Sequence, residues 1–346
     1  MKEVRLAVLG LNHGYKFAKD IIELEGVELV AVAGQDILAK ERAAAMNVPL
    51  FVDYRELLAT CDIDGAIITL PNQLHLEAVR ECARRGIDVL VEKPIAATVE
   101  EGDEIVRIAQ EAGIKLLVGH HRRFSNNIMR LREVILSGAI GDLIGVNMLF
   151  TLAKDHDYFK ESWRVSTGGG GPLLINAAHD IDNLRFVTGR DIERVYASSQ
   201  NRIRSNEVED AASVLLEMKD GPTVNYFITD GVPAPWSYEF TTGENPKYPH
   251  YGEENCYYFF GTKGSIAFPS MKMYTYEGEK YGWDHPLSEE ILGVVDNDPM
   301  TTELHHFIDV INQKASPLVS GEDALETLKV VLAIKQSAET KQLIDL

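Results

Sequence analysis

The first 121 residues alternate between short apolar, β-branched runs and helical patterns, and this rhythm constrains the fold more than any single motif. The runs cover 4–10, 27–34, 50–54, 64–72, 88–94 and 115–121. Between them lie "HGYKFAKDIIELEG", "ILAKERAAAMN" and helical stretches at 73–86 and 98–112. The runs do not alternate apolar with polar, so both faces of each strand are buried. Strands of that kind, joined by helices, form a parallel sheet covered on both sides, an α/β fold. In such a sheet ligands sit at the carboxyl ends of the strands. Those ends are Gly10, Gly34, Leu70-Pro71-Asn72, Glu92-Lys93-Pro94 and Gly119-His120-His121.

After residue 122 the rhythm changes. "SNNIMRLREVILSG" is an amphipathic helix and 143–152 reads as a strand. The stretch 192–275 is rich in Val, Tyr, Phe and Thr, with turns at "KDGP" and "GTKG", as in antiparallel hairpins. Helices follow at 301–313 and 322–340. A chain of 346 residues exceeds one ordinary core. The expected division is 1–121 and 122–346. The second part is an α/β domain on a large, open, mainly antiparallel sheet, and the terminal helix is free to pack back on the first. An uncovered sheet face needs a partner, so an oligomer contact through that sheet is expected.

With 53 acidic and 34 basic side chains the net charge is −19, which disfavours nucleic acid and anionic membrane as partners. No stretch reaches the roughly 18 apolar residues of a membrane span. "MKEVRLAVLG" carries charges within a strand pattern and does not read as a signal peptide. Cys61, Cys82 and Cys256 lack metal-type spacing, so a reduced, cytoplasmic protein is expected.

The first turn is "GLNHGY". A dinucleotide fingerprint, G-x-G-x-x-G, would need glycine at Asn12 and Tyr15; Gly10 fits and Gly14 is displaced by one. The context suits a dinucleotide, yet the same residues could make an ordinary turn before a helix. The acid that usually holds the NAD ribose is replaced by Gly34, followed by Gln35 and Asp36, with no arginine beside it in sequence. Asp36 either takes that role or is a solvated turn residue. "LVEKP" is the sharper signal: Lys93 at the end of a buried strand is a compact donor placed where chemistry occurs. In "GGGGPLLINAAHDID" (168–182), Asn176 and His179 fall three apart, on one helical face. One histidine with nearby aspartates is no complete metal-ligand set, and no metal is expected. His156, Tyr158, Trp236 and Tyr238 could each line a substrate site, and His305 and His306 read as structural.

In that order along the chain, "GLNHG", "ITLPNQLH", "VEKP", "GHHRRF", "SWR", "GGGGPLLINAAHDID", "FFGTKGSIAF" and "SGEDALETLKVV" resemble the Gfo/Idh/MocA family of NAD(P)-dependent oxidoreductases. The resemblance spans essentially the whole chain. It implies an N-terminal Rossmann dinucleotide-binding domain, NAD slightly favoured over NADP, and a sugar, inositol or related polyhydroxylated substrate. It implies Lys93 and His179 as catalytic residues, with Asn176 beside them. Gly10, Leu11, Asn12, His13, Gly34, Gln35, Asp36, Leu70, Pro71, Asn72, His75, Glu92, Lys93, Arg122, Trp163 and Arg164 would serve the cofactor. Lys93, His121, His156, Asn176, His179 and Trp236 would serve the substrate. One departure stands out. The family often carries Asp four residues before the histidine; here Ile175 is there and Asn176 sits three before. An amide cannot ionise, so His179 is left as the sole base, or the proton chemistry is lost. A redox-neutral enzyme that uses bound NAD transiently, as in glycoside cleavage, and a non-catalytic binding protein are the alternative readings.

Overall fold

The computed structural model describes residues 3–278 and 280–346. They form two compact units: the chain up to Phe124 with Asp298–Leu328, and Ser125–Asn297 with Lys329–Leu346. Sequence patterning set one boundary at 121/122; the chain leaves the first unit after Phe124 and returns to it for a segment centred on the first C-terminal helix.

The first unit opens with β1 (Val4–Leu9), α1 (Tyr15–Glu23), β2 (Val27–Ala33), α2 (Ile37–Met46), β3 (Leu50–Phe51) and α3 (Tyr54–Thr60). It continues with β4 (Gly65–Ile68), α4 (His75–Ala83), β5 (Asp88–Glu92), α5 (Val99–Ala112) and β6 (Leu116–Gly119). The strands form one sheet in the order β3-β2-β1-β4-β5-β6, every pairing parallel. The order reverses between β1 and β4, and at such a reversal the two connections diverge and open a crevice at the strand ends. Local signals start and stop the helices. The Thr98 hydroxyl accepts from the Glu101 N–H (3.2 Å) to cap α5, and Gly113 ends it in the left-handed conformation. Helix α1 presses Phe17, Ala18 and Ile21 onto the sheet, all fully buried. The larger two contribute about 1.5–3 kcal/mol each.

The second unit holds α6 (Asn126–Leu136), β7 (Leu143–Thr151), the single turn α7 (Pro172–Ile175), α8 (Ala177–Thr188), β8 (Ile192–Gln200), β9 (Ala211–Met218) and β10 (Thr223–Thr229). Then come the turn α9 (Tyr238–Thr241), β11 (Tyr257–Gly261), β12 (Gly264–Phe268), β13 (Lys272–Thr275) and β14 (Ser288–Ile291). With β15 (Ile344–Asp345) these strands form a nine-stranded sheet, β14-β13-β12-β11-β7-β10-β9-β8-β15. Its pairings are antiparallel except β7 with β10, which run parallel. Side chains alternate across it. Val146, Val195, Leu216, Val224 and Phe259 point inward and are buried. Tyr196, Leu215 and Phe260, on the other face, are exposed.

The chain then returns to the first unit as α10 (Pro299–Ile311) and the start of α11 (Gly321–Thr340). Asp298 caps α10 by accepting from the Met300 and Thr301 N–H groups, and Pro299 opens it. A Cβ on Gly65 of β4 would lie 2.7 Å from Ile311 and 3.1 Å from Phe307, so α10 packs directly on the parallel sheet. The Val118 N–H of β6 donates to the Val319 carbonyl.

Candidate active site

In the first unit the strand ends gather as expected. Gly10 follows β1 with φ +99°, and a Cβ there would lie 2.6 Å from the Thr69 carbonyl oxygen. A Cβ on Gly14 would lie 2.5 Å from Val8 and 2.6 Å from the Thr69 hydroxyl. Gly14 thus lets α1 start hard against the sheet, the task of the third glycine of the fingerprint, one residue early. Helix α1 has no side-chain cap, so its first N–H groups remain available to an anion. This bare turn at the sheet's reversal fits a dinucleotide pyrophosphate. Leu11 is buried, so only its backbone can face a ligand, while Asn12 and His13 are exposed.

The end of β2 explains the missing ribose acid. A Cβ on Gly34 would lie 2.6 Å from the Ala39 Cβ, so no acidic side chain fits. Gln35 is exposed, and the Asp36 carboxylate is spent on capping α2 (Ala39 N–H, 2.6 Å). Sequence order hid a basic neighbour. Arg42, on α2, donates to the Leu11 carbonyl (2.5 Å) and stacks on Tyr15, 4.7 Å from the ring centre.

At the β4 end, Leu70 and Asn72 are partly exposed and Pro71 is exposed. His75 differs from expectation. It is fully buried, with Nε2 2.9 Å from the Leu70 carbonyl and Nδ1 3.1 Å from the Pro94 carbonyl, and burial pushes its pKa down. It ties the exits of β4 and β5 together.

Lys93 ends β5 and is partly exposed. Glu92 behind it accepts from the Lys93 backbone N–H (3.1 Å) and lies 3.2 Å from His13 Nε2. Burial alone would raise the Glu92 pKa, but His13, His121 and Lys93 outweigh it and hold the carboxylate at about 2. The Glu92 charge in turn raises the His13 pKa. His121 is partly exposed and Arg122 is buried in the turn after β6. Sequence reasoning missed Glu303 on α10. It is fully buried, neither carboxylate oxygen has a hydrogen-bond partner, and burial, with the Glu92 charge adding, pushes its pKa well above the usual range.

In the second unit, Asn176 joins α7 to α8, and it and His179 are both partly exposed there. Asp180, next to His179, is buried in the core, its carboxylate accepting from the Tyr226 hydroxyl (2.7 Å) and the Tyr257 hydroxyl. Asp182 is fully buried as well. Trp163 and Arg164 sit together, the guanidinium 4.1 Å from the Tyr158 ring centre and 5.3 Å from that of Trp163. His156 is exposed on its loop, and Trp236 is exposed with Nε1 donating to Glu254 (2.9 Å). Tyr238 is core, buried and donating to Glu244 (2.6 Å), and does not wall a site. A residue that spacing did not reveal, Lys154, lies beneath Asn176: its side chain is 9% exposed, and Nζ donates to the Asn176 Oδ1 (2.7 Å).

Two family models together match most of the chain. One is described as an oxidoreductase family with an NAD-binding Rossmann fold and covers residues 4–120; the other is the GFO/IDH/MocA C-terminal domain and covers 128–267. The chain belongs to the Gfo/Idh/MocA oxidoreductase family. Its first unit is the family's NAD-binding Rossmann domain. Family members it resembles include inositol 2-dehydrogenase of Rhizobium meliloti, 26% identical over 98% of both chains. The 1,5-anhydro-D-fructose reductase of Ensifer adhaerens is 29% identical over 83% of this chain and 81% of the reductase. Among solved structures, a putative NADPH-dependent oxidoreductase from Desulfitobacterium hafniense superposes with a TM-score of 0.84 at 23% identity, covering 100% of this chain and 98% of the other. At that identity the superposition speaks for the fold.

Proposed function

We propose that this oxidoreductase interconverts a secondary alcohol and a ketone on a small polyhydroxylated compound, a sugar, inositol or relative. The first unit would hold NAD(P) and the second the substrate. The observation that carries the reading is the β5 exit: a lysine at the carboxyl edge of a Rossmann sheet, backed by the Glu92 carboxylate, which accepts from the Lys93 N–H and whose pKa is lowered to about 2. The names of the relatives, an inositol dehydrogenase and an anhydrofructose reductase, support the substrate class.

A bound nicotinamide would accept or return the hydride at the carbinol carbon. The backbone of Gly10–His13 and the uncapped start of α1 would hold its phosphates, and Gly34–Asp36 and Leu70–Asn72 would serve the rest of the cofactor. Lys93 donates to the reacting oxygen and stabilises the negative charge that develops there. His179 accepts the hydroxyl proton in the oxidative direction and returns it in reduction, the acid–base role an imidazole can serve. Asn176 orients the substrate beside them. The active protein is a homodimer or homotetramer through the exposed face of the nine-stranded sheet, and cytoplasmic, a setting that suits three cysteines held outside any disulfide among the described residues. Among the described residues no helix is long and apolar enough to cross a membrane.

Calorimetric titration with NAD+, NADH, NADP+ and NADPH tests the reading. Micromolar binding by one pair, followed by turnover in a polyol and sugar screen, is the expected result. No binding by any of the four, with no cofactor carried through purification, sinks it.

A further inference from the structure

The second unit carries a group of donors whose direction is set by one buried lysine. An ammonium only donates. The Lys154 Nζ lies 2.7 Å from the Asn176 Oδ1, 3.3 Å from Asp230 and 3.4 Å from the Tyr158 hydroxyl oxygen, 4.4 Å from the Tyr158 ring centre. The Asn176 amide oxygen is therefore taken, and its Nδ2 can only offer protons elsewhere. The Tyr158 oxygen accepts from Lys154, so its own proton is free to be donated. Burial pushes the Tyr158 pKa up to about 12, which keeps that proton in place.

Arg164 completes the set. Its Nη1 donates to the Tyr158 carbonyl (2.9 Å), its guanidinium lies against the Tyr158 ring, and its enclosed Nε has no hydrogen-bond partner. No carboxylate lies within ion-pair distance of it among the described residues. Asp155 accepts from the Tyr158 backbone N–H (2.8 Å), and Asp230 is divided between Lys154 and Arg204. Glu209 is engaged by the Leu173 N–H (2.9 Å), and burial raises its pKa. Burial lowers the Lys154 pKa, and the charges of Asp230 and Glu239 oppose that and favour its ammonium form. Three cations, Lys154, Arg164 and Arg204, thus stand against the carboxylates of Asp230 and Glu239.

A neutral polyol presents hydroxyls that need acceptors as well as donors. A surface of donors with a spare guanidinium instead matches a carboxylate, which only accepts. We propose that the substrate is a polyhydroxy acid, such as an aldonate, uronate or hydroxy-dicarboxylate, whose carboxylate is received by Asn176 Nδ2, the Tyr158 hydroxyl and Arg164, with Lys154 as the positioning residue that fixes their polarity. This rests on the reading above that the second unit takes a polyhydroxylated substrate. It explains the missing aspartate: an acid before His179 would repel the substrate, whereas an amide held by Lys154 attracts it. It also moves Arg164 from the cofactor to the substrate.

The test compares matched pairs by calorimetry, with and without saturating NADH: D-gluconate against D-glucitol, D-glucuronate against D-glucose, and tartrate against threitol. At least one acid should bind tenfold or more tightly than its neutral partner. Asn176→Asp should erase or reverse that preference. Lys154→Met should reduce it at least fivefold, and Lys154→Arg should retain most of it. Arg164→Gln should weaken the acid and leave the NADH affinity within twofold. The proposal is overturned if no acid binds, if neutral partners bind as tightly, if Asn176→Asp leaves the preference intact, or if Arg164→Gln weakens NADH and spares the acid. Failure of NADH to bind the wild-type protein strikes the dehydrogenase reading alone, because the acid preference is also read without cofactor.

Discussion

Glu92 lies within electrostatic reach of Lys93, His13 and His121, and its charge raises the His13 pKa. Replacing Lys93 with Met removes the donor to the reacting oxygen. Turnover of any substrate found in the screen should fall about a hundredfold or more, with NADH affinity changed little; a variant within threefold of wild type refutes the role given to Lys93. Asp180 makes a contrasting case only one residue from His179. Asp180→Ala strands two buried tyrosine hydroxyls and should destabilise the protein by about 2–4 kcal/mol, read by chemical denaturation, without altering cofactor binding. Sequence logic singled out Lys93 by its place at a strand end, and Asn176 and His179 by helical spacing and family resemblance. It could not reach Asp180's partners, which lie 46 and 77 residues away in sequence. Nor could it reach Lys154, whose importance comes from burial in a stretch, "AKDHDY", that reads as solvated loop.

Among the elements, the turn from β1 to α1 has the least room for change. Gly10→Ala forces a Cβ toward the Thr69 carbonyl on a left-handed backbone. That conformation alone costs about 1–3 kcal/mol, and the shift needed to relieve the clash moves the phosphate-facing backbone. Cofactor affinity should therefore fall at least tenfold; an unchanged affinity would mean that this turn does not bind the cofactor. Helix α10 supplies a pH test. Glu303 is kept protonated in the folded state, so its contribution to stability is complete below the ordinary carboxylate range and is lost as pH rises and the unfolded chain ionises. In Glu303→Gln that dependence disappears, and the melting temperature of the variant minus that of wild type should climb between pH 4 and pH 8. A flat difference would show that Glu303 is ionised in the fold. The parallel sheet was legible because its buried strands are apolar runs; the glycine one place out of register in "GLNHGY" was not, because only the packing of α1 on Val8 and Thr69 shows which task it performs.

On the scale of the whole molecule, the exposed face of the nine-stranded sheet carries Tyr196, Leu215 and Phe260 at 40%, 39% and 40% exposure. If that face joins copies, Leu215→Arg with Phe260→Arg should convert the assembly to monomers in sedimentation velocity, with NADH binding intact. A wild-type protein that already sediments as a monomer removes the oligomer reading. Class and architecture were readable from the sequence, yet the reach of the first unit was not. Nothing in the local pattern of 298–328 says which sheet it covers, because helix periodicity reports that a face is buried and not what buries it. That return has a consequence for how the protein is made. Gly65, Leu117 and Arg123 meet Phe307, Ser320 and Asp323, residues translated some two hundred positions later. A nascent chain holding only the six parallel strands has an open flank where α10 belongs. The NAD-binding unit, though its strands are made before the second unit, is finished only after the synthesis of everything between.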